Sequence, residues 1–225
     1  MLNIIFRCDD FWLINKPAGM SFHGESETLG VMQTLKSEYP DHEFYPVHRL
    51  DKITSGLLLV ALHYDAAVTF GKMFEQHQIE KRYLAISNRK PKKKQGTVRG
   101  GMMPSRRGQW KLTQGTENLA VTQFFSAAFE GRRVFLLRPL TGKTHQIRVA
   151  LKSVGSPILG DGRYGGDPSE RGYLHAYYLR FMWQGVEQEF RCSPTEGEHF
   201  SSAFCEFIES NFQEASLKWP ASQSI

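Results

Sequence analysis

Apolar positions in this chain recur mostly with the period of strands. Two short runs, at 3–6 and 11–15, flank the Asp9-Asp10 pair and predict two strands joined by a turn. The run at 57–61, LLLVA, is apolar throughout and of strand length, which predicts a buried strand following a Thr-Ser-Gly turn. Residues 79–87 alternate, with Lys81, Tyr83 and Ala85 on one face and Arg82, Leu84 and Ile86 on the other. Residues 120–128 and 133–139 predict a hairpin around Glu130-Gly131, and 174–183 with 187–192 a second one.

Helical spacing is rarer. Residues 29–39 predict a short helix ended before Pro40. Asp65 is placed to cap a helix carrying Ala66, Phe70, Met73, Phe74 and His77 on one face. Residues 144–154 put Ile147, Leu151 and Val154 on one side. The stretch 201–212 turns Phe200, Ala203, Phe204, Phe207 and Ile208 inward. PILGDGRYGG (157–166) has too much glycine to be anything but loop, and after Gln213 the pattern fades.

Strands outnumber helices, several pair as hairpins, and no β-α-β alternation appears. That predicts an α+β fold, a largely antiparallel mixed sheet with flanking helices and loops. One domain is expected over 1–212, with a disordered tail at 213–225.

Composition narrows the class. The chain has 225 residues, 40% hydrophobic and 23% charged, and no apolar run approaches the roughly 18 residues that span a bilayer. The N-terminus carries two acids behind its short apolar stretch and lacks a cleavage site, so no signal peptide is expected. Cys8, Cys192 and Cys205 are odd in number and far apart, which supports neither a disulfide framework nor a zinc site. A cytoplasmic protein is the expectation.

The net charge of +5 is unevenly spread. Between residues 88 and 118 lie Arg89, Lys90, Lys92, Lys93, Lys94, Arg99, Arg106, Arg107 and Lys111 against Glu117 alone. Nine minus one is +8, which leaves −3 for the rest of the chain. A basic insert of this kind suits a polyanion, because each neutralised phosphate releases a counterion. Its bland alternative is a solvated loop without a partner.

No cofactor signature is present: the chain lacks GxGxxG after its first strand, GxxxxGK[ST] and HExxH. TGKTH at 141–145 resembles only half a phosphate-binding loop, and the eight histidines form no metal set. Chemistry must come from ordinary side chains, and three stand out. Asp51 lies between Arg49 and Lys52 at the edge of an apolar run. Tyr83 shares a strand face with Lys81. Arg148 lies near a helix start, where the macrodipole disfavours a cation and a carboxylate partner would repair the cost. Taken singly, each has a structural reading: an ion pair, a half-buried core tyrosine, a solvated arginine.

Taken together and in order, these stretches resemble the RluA family of RNA pseudouridine synthases. The resemblance runs through INKPAGMSFHG (14–24), PVHRLDKITSGLLLVAL (46–62), KRYLAI (81–86) and RPLTGKTHQIRV (138–149), then PILGDGRYGG (157–166) and LHAYYLRF (174–181). It implies that Asp51 is the nucleophile, that Tyr83 stacks on the base and assists at C5, and that Arg148 pairs with the aspartate. Arg49 matches the residue that enters the RNA stack when the target nucleotide is flipped out. Ile147 and Leu159 are candidates for an apolar floor under uracil or for plain core, and Lys143 stands where many relatives carry Arg.

The resemblance also implies a redox-neutral reaction with no cofactor and no metal. The expected partner is a structured RNA, rRNA or tRNA, bound by a monomer with no membrane association. Ala150 replaces a histidine common in the family, a position outside the nucleophile's chemistry. The catalytic pattern begins within the first residues, so the N-terminal S4-type module of many relatives is expected to be absent. RNA binding then falls to the domain itself, with Lys92, Lys93 and Lys94 of the basic insert as candidates. Two rivals remain: a non-catalytic RNA-binding or ribosome-assembly factor on the same scaffold, and a phosphoesterase or nuclease, which would want a metal-binding carboxylate cluster.

Overall fold

The structure is a computed structural model that describes all residues except 25–27, 214–216 and 221–225. In chain order its elements are β1 (Asn3–Arg7), β2 (Phe11–Lys16), α1 (Val31–Glu38), β3 (Tyr45–Pro46), β4 (Thr54–Ala61), α2 (Tyr64–Glu75), β5 (Glu80–Ser87) and β6 (Gln95–Pro104). There follow β7 (Trp110–Thr113), β8 (Leu119–Phe129), β9 (Arg132–Pro139), α3 (Gln146–Ser153), β10 (Leu174–Trp183), β11 (Val186–Arg191) and α4 (Ser202–Asn211). The α+β class with antiparallel strand pairing is as the hydrophobic pattern predicts. Among the described residues no helix is long and apolar enough to cross a membrane.

The chain divides into two compact units, Met1–Glu80 with His175–Pro194, and Lys81–Leu174 with Thr195–Ile225. In the first unit the strands run in the order β1-β2-β4-β10, with β3 beside β4 and β11 beside β10. Every residue of β4 is buried, as an unbroken apolar run demands. Its core joins Phe11, Leu13, Leu57, Leu59 and Phe181 to the face of α2 that carries Ala66, Phe70 and Met73. The expected Thr-Ser-Gly turn is instead the beginning of β4, where Gly56 pairs with Lys16. Gly56 adopts φ +104°, and a Cβ there would stand 2.3 Å from the Ala176 carbonyl oxygen. Glycine is present for close strand approach rather than for a turn. The α2 cap is His63, not Asp65: the His63 ring accepts the Ala66 N–H at 3.3 Å and is itself tied to Asp10 at 3.0 Å.

In the second unit the order is β5-β9-β8-β6-β7. The β8–β9 hairpin turns on Glu130 (φ 46°) and Gly131 (φ 75°), the left-handed pair that matches strand twist. Most of the basic insert is a β-hairpin of β6 and β7. β6 pairs with β8 from Gln95–Phe125 to Gly101–Leu119 and with β7 from Gly101–Thr113 to Pro104–Trp110. Its glycines are again places of close approach: a Cβ on Gly100 would lie 2.7 Å from the Thr113 carbonyl oxygen. α4 buries Phe204 and Ile208 as expected, whereas Ala203 is exposed. Residues 214–216 and 221–225 of the predicted tail lie outside the described residues. Between them, Trp219 packs on Phe125 (4.8 Å between rings) and beneath the Arg138 guanidinium (4.5 Å).

Candidate active site

The HRLD turn is built from the backbone outward. His48 accepts the Leu59 N–H through Nε2 at 2.9 Å and stacks on Phe74 at 4.6 Å, which fixes the segment to β4. Leu50 is buried and Arg49 exposed, so Asp51 emerges half-buried on the following turn. The Thr54 N–H donates to the Asp51 carbonyl at 3.0 Å and closes that turn.

A second clamp comes from Lys16, whose side chain is fully buried. Its ammonium donates to the carbonyls of Pro17 (2.9 Å), Met20 (2.7 Å) and Lys52 (3.4 Å), and the Gly19 N–H donates to the same Lys52 carbonyl at 2.8 Å. Oxygens thus satisfy a buried cation while it staples the LysProAlaGly loop to the residue after Asp51. One residue beyond the turn, Ser55 meets His175 Nδ1 at 2.8 Å, and His175 Nε2 meets the Cys192 carbonyl at 2.7 Å. A carbonyl can only accept, so Nε2 donates, and in the neutral ring Nδ1 accepts the Ser55 hydroxyl. Burial pushes the Cys192 thiol up to about 11, which disqualifies it as a thiolate nucleophile at neutral pH.

In the second unit Tyr83 lies half-buried on β5, in register with Leu137 of β9. Lys81, two residues earlier, has its pKa lowered by burial to about 8. Its Nζ lies beside Gly142: a Cβ added there would stand 3.7 Å away.

The TGKTHQIR segment is held by the buried Gln146. Its Oε1 accepts from the Thr141 hydroxyl (2.7 Å) and the Lys143 N–H (2.9 Å), and its Nε2 donates to the Val121 carbonyl (3.1 Å) and the Thr122 hydroxyl (3.0 Å). That network fixes half-buried Lys143 before α3. Helix α3 starts from His145 in the left-handed region (φ 56°) and buries Ile147 and Arg148 in its first turn.

The carboxylate that the helix start demands for Arg148 is supplied within this unit by Asp161. Arg148 Nε donates to Oδ2 at 2.7 Å and Nη2 to Oδ1 at 2.8 Å, with both side chains almost wholly excluded from solvent. The guanidinium also lies over the Tyr164 ring, 4.8 Å from its centre. Leu159 is buried nearby in sequence, with its N–H on the Ile86 carbonyl at 2.8 Å.

The unit therefore gathers Arg148, Ile147 and Lys143 around α3. Lys92, Lys93 and Lys94 are exposed at the opposite end of β6 from the tip of its hairpin with β7. Lys16, Gln146, Asp161, Tyr164 and His175 have no assigned role from sequence, although each lies inside a motif quoted there. Among the described residues no group of three or more His, Cys, Asp or Glu is placed to hold a metal ion.

The first unit thus presents Asp51 half-buried on a rigid turn, and the second holds Tyr83 on a strand and Arg148 buried and oriented. Comparison with known proteins identifies the family. The family profile described as RNA pseudouridylate synthase matches residues 10–153. An RNA pseudouridine synthase of Haemophilus influenzae, its role uncharacterised, is 45% identical over 88% of this chain and 89% of its own. The tRNA pseudouridine synthase C of Haemophilus ducreyi is 33% identical over 92% and 96%. The ribosomal large subunit pseudouridine synthase C of Rickettsia bellii is 38% identical over 77% of this chain and 61% of its own. Among solved structures, Human RNA Pseudouridylate Synthase Domain Containing 1 superposes with a TM-score of 0.75 at 28% identity, over 90% and 87%. The chain belongs to the RNA pseudouridylate synthase family. It is an isomerase of the RluA type.

Proposed function

We propose that this enzyme isomerises uridine in a structured RNA, tRNA or rRNA, with Asp51 as the nucleophile, and that residues 1–212 form the catalytic domain. In this reading the N1–C1′ bond breaks and C1′ rejoins the turned base at C5. The C5 proton leaves to solvent, N1 regains a proton, and the Asp51 carboxylate forms and releases a covalent link on the way. The sum is redox-neutral and calls for no external nucleophile. Arg148 pairs with the carboxylate and orients it, and Tyr83 stacks on the base and assists at C5. Uridine must leave its stack for these atoms to be reached, and exposed Arg49 fills the vacated place. Ile147 and Leu159 form the apolar floor, and Lys143 and Lys92–Lys94 contact phosphates.

The observation that carries this reading is the HRLD turn. Its backbone is pinned by His48 and Lys16, while Asp51 keeps partial access to solvent. A core ion pair has no need of such a mount. The names of relatives support both RNA classes, and the tRNA-named relative aligns over nearly its whole length. The enzyme is taken to act as a monomer in the cytoplasm without metal. Tritium release from RNA labelled at uridine C5, prepared from cells lacking this protein, tests the reading. Release is expected, whereas RNA binding without release would support the binding-factor alternative.

A further inference from the structure

The basic hairpin has two cationic ends with different surroundings. Lys92, Lys93 and Lys94 lie at its base, where the Lys94 carbonyl accepts the Ser126 N–H (2.7 Å) and hydroxyl (2.9 Å). The tip, residues 104–110, lies nine residues further along β6, about 30 Å away at strand rise. It exposes Arg106 and Arg107, and no acid occurs between Gln95 and Thr116.

This tip is docked. Gln109 Nε2 donates to the Arg163 carbonyl at 2.7 Å, Arg163 Nη1 donates to the Gly108 carbonyl at 3.2 Å, and the Trp110 N–H donates to the Tyr164 hydroxyl at 2.9 Å. The turn is closed within itself by Ser105 N–H to Gln109 O at 2.8 Å, with Arg107 (φ 54°) and Gly108 (φ 68°) both left-handed. Tyr164 also meets His145 Nδ1 at 2.7 Å and places its ring on Arg148. Met102, Val149 and Tyr164 share one buried cluster, with Trp110 and Leu112 packed against it. The hairpin tip and the helix bearing Arg148 are thus one packed body.

Three exposed guanidinium groups, those of Arg106, Arg107 and Arg163, are gathered at this docked turn, one residue from the tyrosine that stacks on Arg148. The three carboxylates of the loop between α3 and β10 are engaged elsewhere, Asp161 by Arg148, Asp167 by Arg89 (2.8 Å) and Glu170 by the Ser169 hydroxyl and the Glu198 N–H. Arginine presents a planar fork that matches phosphate in a fixed geometry, whereas lysine acts as a point charge.

We propose that the docked tip, through Arg106, Arg107 and Arg163, binds the RNA phosphates next to the target uridine and sets that nucleotide's position, while Lys92, Lys93 and Lys94 hold RNA farther out. The proposal rests on Arg148 belonging to the reaction centre. It separates the two ends by what they change, rate at one and affinity at the other.

The test uses single-turnover tritium release from C5-labelled RNA of cells lacking the protein, at rising enzyme concentration. The R106Q/R107Q/R163Q protein should show a saturating rate lowered at least about tenfold. R106Q/R107Q, which leaves the docking bonds of Arg163 in place, should lose part of that rate with its melting temperature unchanged. K92Q/K93Q/K94Q should bind more weakly, with a shallower salt dependence, and lose less of the saturating rate than R106Q/R107Q/R163Q. A wild-type saturating rate in R106Q/R107Q/R163Q, or an equal rate loss in K92Q/K93Q/K94Q, overturns the proposal. Absence of release by the wild-type enzyme would instead overturn the catalytic reading beneath it.

Discussion

The two compact units position their key side chains in opposite ways. In the first, the segment bearing Asp51 is fastened on either side: Lys16 to the Lys52 carbonyl, His48 to the Leu59 N–H and Ser55 to His175. In the second, Arg148 is held by its own side chain, with Asp161 on its edge and Tyr164 on its face. In the proposed reaction the carboxylate forms and breaks a covalent bond, which calls for a fixed base. A cation that must only stay oriented can be locked at the charge itself. The difference predicts that damage to the second mount reaches stability first, and damage to the first mount reaches rate.

The largest stability effect is expected from Asp161→Ala, which leaves the buried Arg148 guanidinium without this carboxylate. A loss of about 3–5 kcal/mol is predicted, measured by denaturant unfolding. A loss below about 1 kcal/mol would show that the pair does not hold the arginine.

Lys16→Met comes next. Removing the ammonium takes the donor from part-buried carbonyls, each costing up to about 1–3 kcal/mol when unpaired, partly offset because the ammonium's own burial penalty disappears. A net loss of about 2 kcal/mol is expected, with a fall in saturating rate and little change in RNA affinity. Intact rate at full stability would remove Lys16 from the mount of Asp51.

The smallest effect concerns Lys81, whose pKa falls by burial from 10.5 to about 8. Between those values the unfolded chain binds more protons than the folded one, so stability should rise as pH increases from 8 to 10.5. The penalty is fully present below pH 8. Lys81→Met should flatten this slope and stabilise the protein at pH 7 by on the order of 1 kcal/mol, partial exposure being allowed for. An unchanged slope would place the titration elsewhere.

Much of the fold was legible because period and turn chemistry are local. LLLVA at 57–61 could only be a buried strand, and Glu130-Gly131 between alternating runs could only be a tight hairpin. The strands of the basic insert were not legible for the converse reason. Its glycines look like loop in one dimension, and only pairing with β8 and β7 shows that they make room for neighbouring strands. The site divides in the same way. Asp51, Tyr83 and Arg148 stood out as charged or phenolic groups in odd company. Asp161 and Tyr164 did not, because their partner lies 13 and 16 residues away, across a loop whose course no periodicity records. Lys16 was hidden by its type: a lysine after an apolar strand reads as surface, yet this one is wholly buried among carbonyls.

The most direct test of Asp51 as nucleophile is Asp51→Asn, nearly isosteric and uncharged, assayed for tritium release beside RNA affinity and melting temperature. Release should vanish while affinity and melting temperature stay at wild-type values. Residual release near the wild-type rate, or a collapse of melting temperature with binding lost, would make Asp51 a structural ion and contradict its assignment as the nucleophile.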